Sequence, residues 1–420
     1  MKPKLLTTLP ETTPALLGAD LLAGITVAMV AIPLSIAIAI ASGAPPATGL
    51  ITAIVGGFLI SLLGGSRVQI GGPTGAFIVV VYGVIAGHGY DGLVLATLMA
   101  GVILLLAGLL RAGNLIAYVP EAVVNGFTIG IAVIIAASQF KDLLGLDVAK
   151  VPADFLDKLP VLWAARATLN WAAVGVGLCA LALIVALRRL FPRLPGLIVA
   201  MALASMAVVA LGLPVDTIHS RYGDLPQHLP LPAIPAISLA RLTELLPSAL
   251  TIAFLAAIES LLSAMVADRM IGSSHRPNAE VLAQGWANIG SALFGGLPAT
   301  GAIARTATNV RAGGKTPLAG VFHAVIILLV MLLAAPLAGY LAMPALAALL
   351  LMTAWNMSEP HKWRGYWSAP QSDKVLLLLT LALTVLANLT LAIGVGVALG
   401  LALRLRAASP AAPDWTGPDR

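Results

Sequence analysis

What most constrains this chain is a succession of fourteen apolar runs bounded by charges, Pro or Gly. They fall near 18–41, 46–64, 73–87, 92–110, 118–139, 171–189, 195–213, 245–266, 277–294, 299–310, 317–336, 339–355, 373–388 and 390–406. A helix needs roughly 20 apolar residues to cross the hydrocarbon core of a bilayer, and most of these runs are close to that length. Lipid offers no partner to an unpaired backbone N–H or C=O, so such runs must be helical. Only 10% of the residues are charged, against about 25% in soluble domains. A water-soluble globule is excluded, and the reading is an all-α polytopic membrane protein with fourteen transmembrane segments. The single Cys179 cannot form an intramolecular bridge.

Two runs are anomalous. The segments after Gly71-Gly72-Pro73 and after Gly295-Gly296-Leu297-Pro298 are too short and too glycine-rich to cross alone. They are read as broken half-helices at segments 3 and 10. With both termini on the cytoplasmic side, seventeen Lys and Arg fall in inner loops and tails and six in outer loops, while Arg305 lies inside a span. That asymmetry supports a cytoplasmic N-terminus and accounts for the net charge of +6 without a nucleic-acid partner. The stretch 1–17 reads as a cytoplasmic N-terminal segment followed by a retained first span, since no small-residue cleavage site is present. Long outer loops are expected near 140–170 and 214–244, and 407–420 reads as a disordered tail.

Shifting the chain by 226 residues lays Thr74-Gly75-Ala76 on Thr300-Gly301-Ala302 and Ala31-Ile32 on Ala257-Ile258. The halves are then 18–213 and 245–406, separated by the loop 214–244. Each holds seven spans, an odd number, so the repeats have opposite orientation, giving a 7+7 inverted repeat. A helix that starts within the membrane leaves its first N–H groups unpaired and positively polarised, which suits an anion. Two inverted half-helices can aim those ends at one place.

Four stretches carry a family resemblance: Ile32–Gly43 (IPLSIAIAIASG), Gly64–Phe77 (GGSRVQIGGPTGAF), Ala256–Asp268 (AAIESLLSAMVAD) and Ala304–Thr316 (ARTATNVRAGGKT). The chain from Asp20 to Arg406 resembles the SulP (sulfate permease type) anion transporters. The Ile-Pro-Leu and Ile-Glu-Ser-Leu-Leu pieces and Leu349–Lys362 look most like its bacterial C4-dicarboxylate branch. The resemblance implies a core domain of segments 1–4 and 8–11, a gate domain of segments 5–7 and 12–14, an elevator motion between them, and a homodimer. This chain departs from the pattern in having Pro33-Leu34 where many members have Pro-Gln, and in showing no C-terminal STAS domain.

The polar and broken features gather in segments 1, 3, 8 and 10. Glu259 stands in a span otherwise apolar from Ala249 to Ala267, where a carboxyl must be protonated, paired or facing a wet cavity. It is expected to couple transport to protons; a structural carboxyl bonding a half-helix is the plainer alternative. Arg305 opens the second half-helix, at a position where the resemblance places a basic residue beside the anion; it could instead satisfy backbone carbonyls between the domains. Pro33, Thr74, Gly75, Ala76, Thr300, Gly301 and Ala302 complete the expected substrate site, with helix capping by the two threonines as the alternative. Gln69 and Asn309 read as interhelical glue. The six histidines lack metal-ligand spacing, so no metal and no cofactor are expected beyond a coupling ion, H⁺ or alternatively Na⁺. Ser260 and Ser263 have no base in their motif, which argues against an enzyme. The expected function is proton-coupled symport of fumarate or succinate across a bacterial cytoplasmic membrane. The alternatives are a Na⁺-coupled bicarbonate or sulfate transporter and an uncoupled anion channel.

Overall fold

The computed structural model describes residues 2–114, 120–149, 151–191, 195–387, 391, 392 and 394–400. The helices are α1 Pro14–Ala41, α2 Pro46–Leu63, α3 Ile78–Leu109, α4 Glu121–Leu143, α5 Phe155–Ala164, α6 Trp171–Leu190 and α7 Gly196–Ala210, then α8 Leu239–Ile271, α9 Pro277–Leu293, α10 Ile303–Arg311, α11 Leu318–Gly339, α12 Met343–Met357 and α13 Gln371–Leu386. Short turns of helix at Leu5–Thr8, Ile218–Tyr222 and Trp363–Ser368 are left unnumbered. The predicted fourteenth span is helical at 391, 392 and 394–400. Its remainder, the predicted tail 407–420, and Lys150, Arg193, Arg404, Arg406 and Arg420 of the charge count lie outside the described residues. This is the expected all-α polytopic membrane fold. Among the described residues, seven helices are long and apolar enough to cross a membrane alone, one of them counted from Gly75.

Local sequence explains the entries and breaks. Thr13 caps α1 by accepting from the Leu16 N–H, with Pro14 in the first turn, where its missing N–H costs nothing. α1 continues through Pro33, which leaves the Met29 carbonyl without its intrahelical donor. Segments 3 and 4 are two helices, as read; they follow one another within α3 and are broken at Gly89 (φ 72°, ψ 179°), a non-helical conformation natural only to glycine. α8 starts at Leu239, six residues before the predicted boundary, and the outer loop 140–170 contains the helix α5.

The helices pack as two groups. α1–α3 pack with α8–α11, and α4, α6 and α7 pack with α12 and α13. α3 and α9 approach closely where small residues meet: a Cβ on Gly101 would lie 2.8 Å from the Gly285 carbonyl oxygen. On one face of the molecule the N-terminal segment is pinned by Lys4 Nζ to the Ser274 carbonyl (2.8 Å) and by Arg276 to the Lys2 carbonyl (2.8 Å). The opposite face, here the loop face, carries α5 and the 214–224 segment, where Asn170 donates to the Pro214 carbonyl and Thr217 bridges Ala342.

The two breaks meet. Gly71–Gly72 (β1) and Thr300–Gly301 (β2) form a two-residue antiparallel pair, Gly71 opposite Gly301 and Gly72 opposite Thr300. This pairing corrects the 226-residue shift. A twofold that exchanges the two rungs requires a shift of 229. The same shift relates Gly43 (φ 73°) to Gly272 (φ 65°), the left-handed glycines that follow α1 and α8. Thr74 and Thr300 are therefore not equivalent: Thr74 follows β1, whereas Thr300 lies within β2. Short identities in an Ala- and Gly-rich chain misled the alignment, and backbone geometry fixes it.

Candidate functional site

The strand pair lies between α8 and α2, against a π-helical turn, Thr52–Gly56, inside α2. π-Turns commonly mark functional sites. Here the turn presents the Thr52 hydroxyl to the Leu297 N–H (2.6 Å), holding the second break in place. A 3₁₀ turn, Gly75–Phe77, leads from β1 into α3, with Thr74 at its N-cap position. Beyond β2, Ala302 is the N-cap of α10. Two helix starts thus flank one crossing point.

Thr74 and Glu259 come together: the Thr74 hydroxyl donates to Glu259 Oε2 at 2.6 Å, and both side chains are half-buried. Thr300 is fully buried and its hydroxyl donates to the Ala256 carbonyl (2.9 Å), one turn before Glu259, so it ties β2 to α8. Ala302 spends its N–H on the Ile70 carbonyl (2.8 Å), extending the strand pair. The unpaired donors at the second break therefore begin at Ile303, which with Ala304 is exposed. Gly75 and Ala76 are buried at the first break, and Pro33 is buried in α1. Gly301 is packed against the Gln69 amide, and that amide donates to Ser260 Oγ (2.7 Å).

Arg305 is 1% exposed. Its Nη2 donates to Ser35 Oγ on α1 (2.9 Å), while Nη1 has no partner and lies against Gly72, where any Cβ would sit. Among the described residues neither Arg305 nor Glu259 has an oppositely charged partner. A buried guanidinium without a carboxylate is costly, and an anion is the natural complement. Nearby on α11, His323 is fully buried with neither ring nitrogen partnered.

Behind the site runs a polar seam that the apolar reading of segment 9 passed over. Glu280, Gln284, Asn288 and Ser291 of α9 are all fully buried on one helical face. Glu280 Oε2 accepts from the Gly65 and Ser66 N–H groups (2.9 and 3.2 Å), and Oε1 from Ser260 (2.8 Å) and Gln284 (2.9 Å). Asn288 pairs with both backbone groups of Ala299. Spacings of four, four and three in the sequence carried this signal. Among the described residues, no cluster of three or more His, Cys, Asp or Glu could hold a metal.

Comparison with known proteins fits this geometry. The profile of the sulfate permease family matches residues 17–380. A putative sulfate transporter of Bacillus subtilis, YvdB, is 43% identical over 362 residues, covering 86% of this chain and 68% of that protein. The bicarbonate transporter BicA of Picosynechococcus sp. is 30% identical over 340 residues, covering 79% and 60%. The solved transmembrane domain of a cyanobacterial BicA superposes with a TM-score of 0.82 at 30% identity, covering 91% of this chain and 99% of that domain. The chain thus spans about two thirds of the length of these full-length relatives.

Proposed function

The chain belongs to the sulfate permease family, and we propose that it is a secondary active carrier of a small inorganic oxyanion, sulfate or bicarbonate. One observation carries this reading: Arg305 is buried beside the strand crossing with one guanidinium nitrogen unpartnered and, among the described residues, no carboxylate to neutralise it. The starts of the two half-helices add fixed positive polarisation, about 0.3–1 kcal/mol each and up to ~2 kcal/mol where partly buried. The relatives named for sulfate and bicarbonate favour a compact oxyanion over the C4-dicarboxylate that the sequence motifs suggested.

In this account Glu259 is the coupling group. Neutral, it adds no negative charge to a site that must accept an anion; ionised, it repels the substrate. That difference is the free energy by which ion binding promotes anion binding. Thr74 orients the carboxyl. The group α1–α3 with α8–α11 carries the site past the group of α4, α6, α7, α12 and α13, because every element that builds the site belongs to the first.

Uptake of labelled sulfate, bicarbonate and fumarate into proteoliposomes tests the reading. Saturable uptake of an inorganic oxyanion, reduced at least tenfold by Arg305→Ala, supports it. Fumarate alone as substrate, or full uptake by Arg305→Ala, overturns it.

A further inference from the structure

A second feature lies at the loop face, in the seam between the two helix groups. A cavity of about 230 Å³ has Ala37 of α1 and Tyr82 of α3 on one side, and Ser138 of α4 and Leu346 of α12 on the other. The Tyr82 hydroxyl donates to the Val151 carbonyl, so the segment before α5 is tied across the seam. A neighbouring cavity of about 420 Å³ shares Lys141, Asp142, Ala149 and Arg221 with it.

Lys158 lines the first cavity from α5. This ten-residue helix buries only Lys158 and Leu162, and Lys158 is 4% exposed. Packing alone would choose an apolar residue there, because desolvating an ammonium is unfavourable. Its Nζ donates to Ser138 Oγ (2.7 Å), whose own proton goes to the Ile134 carbonyl (2.8 Å). An ammonium has three donors, and no carboxylate lies within ion-pair distance of this one among the described residues. Asp142 is the acidic residue lining the cavity, and it is engaged by Arg221 (2.5 Å), which also holds Asp216 (2.8 Å). Lys141 is likewise without a carboxylate partner among the described residues. Burial pushes the Lys158 ammonium down to about 8, with Asp154 opposing the shift. The first cavity thus holds Lys141, Lys158 and Arg221 against Asp142, with Asp147 and Asp216 on the neighbouring cavity, and among the described residues no carboxylate is ion-paired with Lys158.

We propose that Lys158, with Lys141, forms a second anion-binding station in this loop-face vestibule, where the small anion pauses at the seam before or after occupying the strand-crossing site. The role as a station for transported anion rests on the carrier reading above; binding itself does not. The station lies at the opening that a sliding core must present, and its ligand class is the same: a small hydrated oxyanion.

The test reads local charge and occupancy directly. Ala149, exposed and lining both cavities, is replaced by cysteine with the exposed native thiol removed (Ala149→Cys in Cys179→Ser). The purified protein is then labelled with anionic sulfonatoethyl or cationic trimethylammonium-ethyl methanethiosulfonate. The anionic reagent should react faster by on the order of tenfold, as charge-lined clefts do, and sodium sulfate should slow it competitively. Lys158→Arg should keep both effects, and Lys158→Met, or Lys158→Gln as a second neutral variant, should abolish them. Unchanged charge preference and sulfate protection in both neutral variants would overturn the station. Absence of oxyanion uptake by the parent protein would instead defeat the carrier reading and leave the labelling result standing.

Discussion

Replacing Glu280 by Leu removes the acceptor at the centre of the buried seam behind the strand crossing. Four donors converge on this carboxyl: the Gly65 and Ser66 N–H groups, the Ser260 hydroxyl and the Gln284 amide. The two side-chain donors can turn to other acceptors. Gln284 already donates to Ser260 at 2.6 Å, and Gln69 does so at 2.7 Å. The two backbone donors cannot turn, because they sit at the end of α2 where the chain enters β1. At about 1–3 kcal/mol for each buried donor left unpaired, Glu280→Leu should cost about 2–6 kcal/mol. Glu280→Gln keeps the shape but sets an NH₂ against N–H donors, and should cost about half as much. Thermal unfolding of the detergent-purified protein, followed by the exposure of buried thiols introduced in α9, measures both. Melting of Glu280→Leu within about one degree of the parent would show that the seam does not hold the two breaks together.

Two further substitutions probe the crossing itself. Gly72→Ala places a methyl where Arg305 Nη1 lies and forces a φ of 148° on an L side chain. It should cost about 1–3 kcal/mol in backbone strain and abolish uptake, whereas an unaltered carrier would refute the close approach. Thr74→Val removes the 2.6 Å hydrogen bond to Glu259 and should weaken the dependence of uptake on the coupling ion, with Thr74→Ser restoring it. Equal ion dependence in parent and Val variant, measured in proteoliposomes, would remove Thr74 from the coupling step.

The spans were legible because apolar length and backbone satisfaction leave a membrane chain little choice. The breaks at Gly71-Gly72-Pro73 and Gly295–Pro298 announced themselves through glycines and prolines where a helix should continue, and the structure joins them as β1 and β2. Glu259 and Arg305 stood out because a charge in an apolar run demands an explanation. The register of the repeat was not legible from identities, since Ala and Gly recur everywhere; it needed the strand rungs and the paired left-handed glycines. Thr300 and Ala302 looked equivalent to Thr74 and Ala76, yet their polar groups are already bonded to Ala256 and Ile70. Glu280 was passed over because it stands close to the start of segment 9, where a charge normally faces water, and the fold instead closes Gly65 and Ser66 over it. Lys158 gave no signal, since a lysine in a polar loop is ordinarily solvated and only the packing of α5 onto α4 buries it.

If a buried cation and an ion-coupled carboxyl share one anion site at the strand crossing, sulfate and bicarbonate uptake by the parent and by Glu259→Gln is the decisive measurement. Each is reconstituted in liposomes and given an imposed proton gradient or an imposed Na⁺ gradient separately. The parent should accumulate anion against its gradient under the proton gradient alone, while Glu259→Gln should lose accumulation and keep downhill movement or exchange. Accumulation by the parent under the Na⁺ gradient alone would replace the proton by Na⁺ at Glu259. Full gradient-driven accumulation by Glu259→Gln would show that Glu259 does not couple transport to an ion.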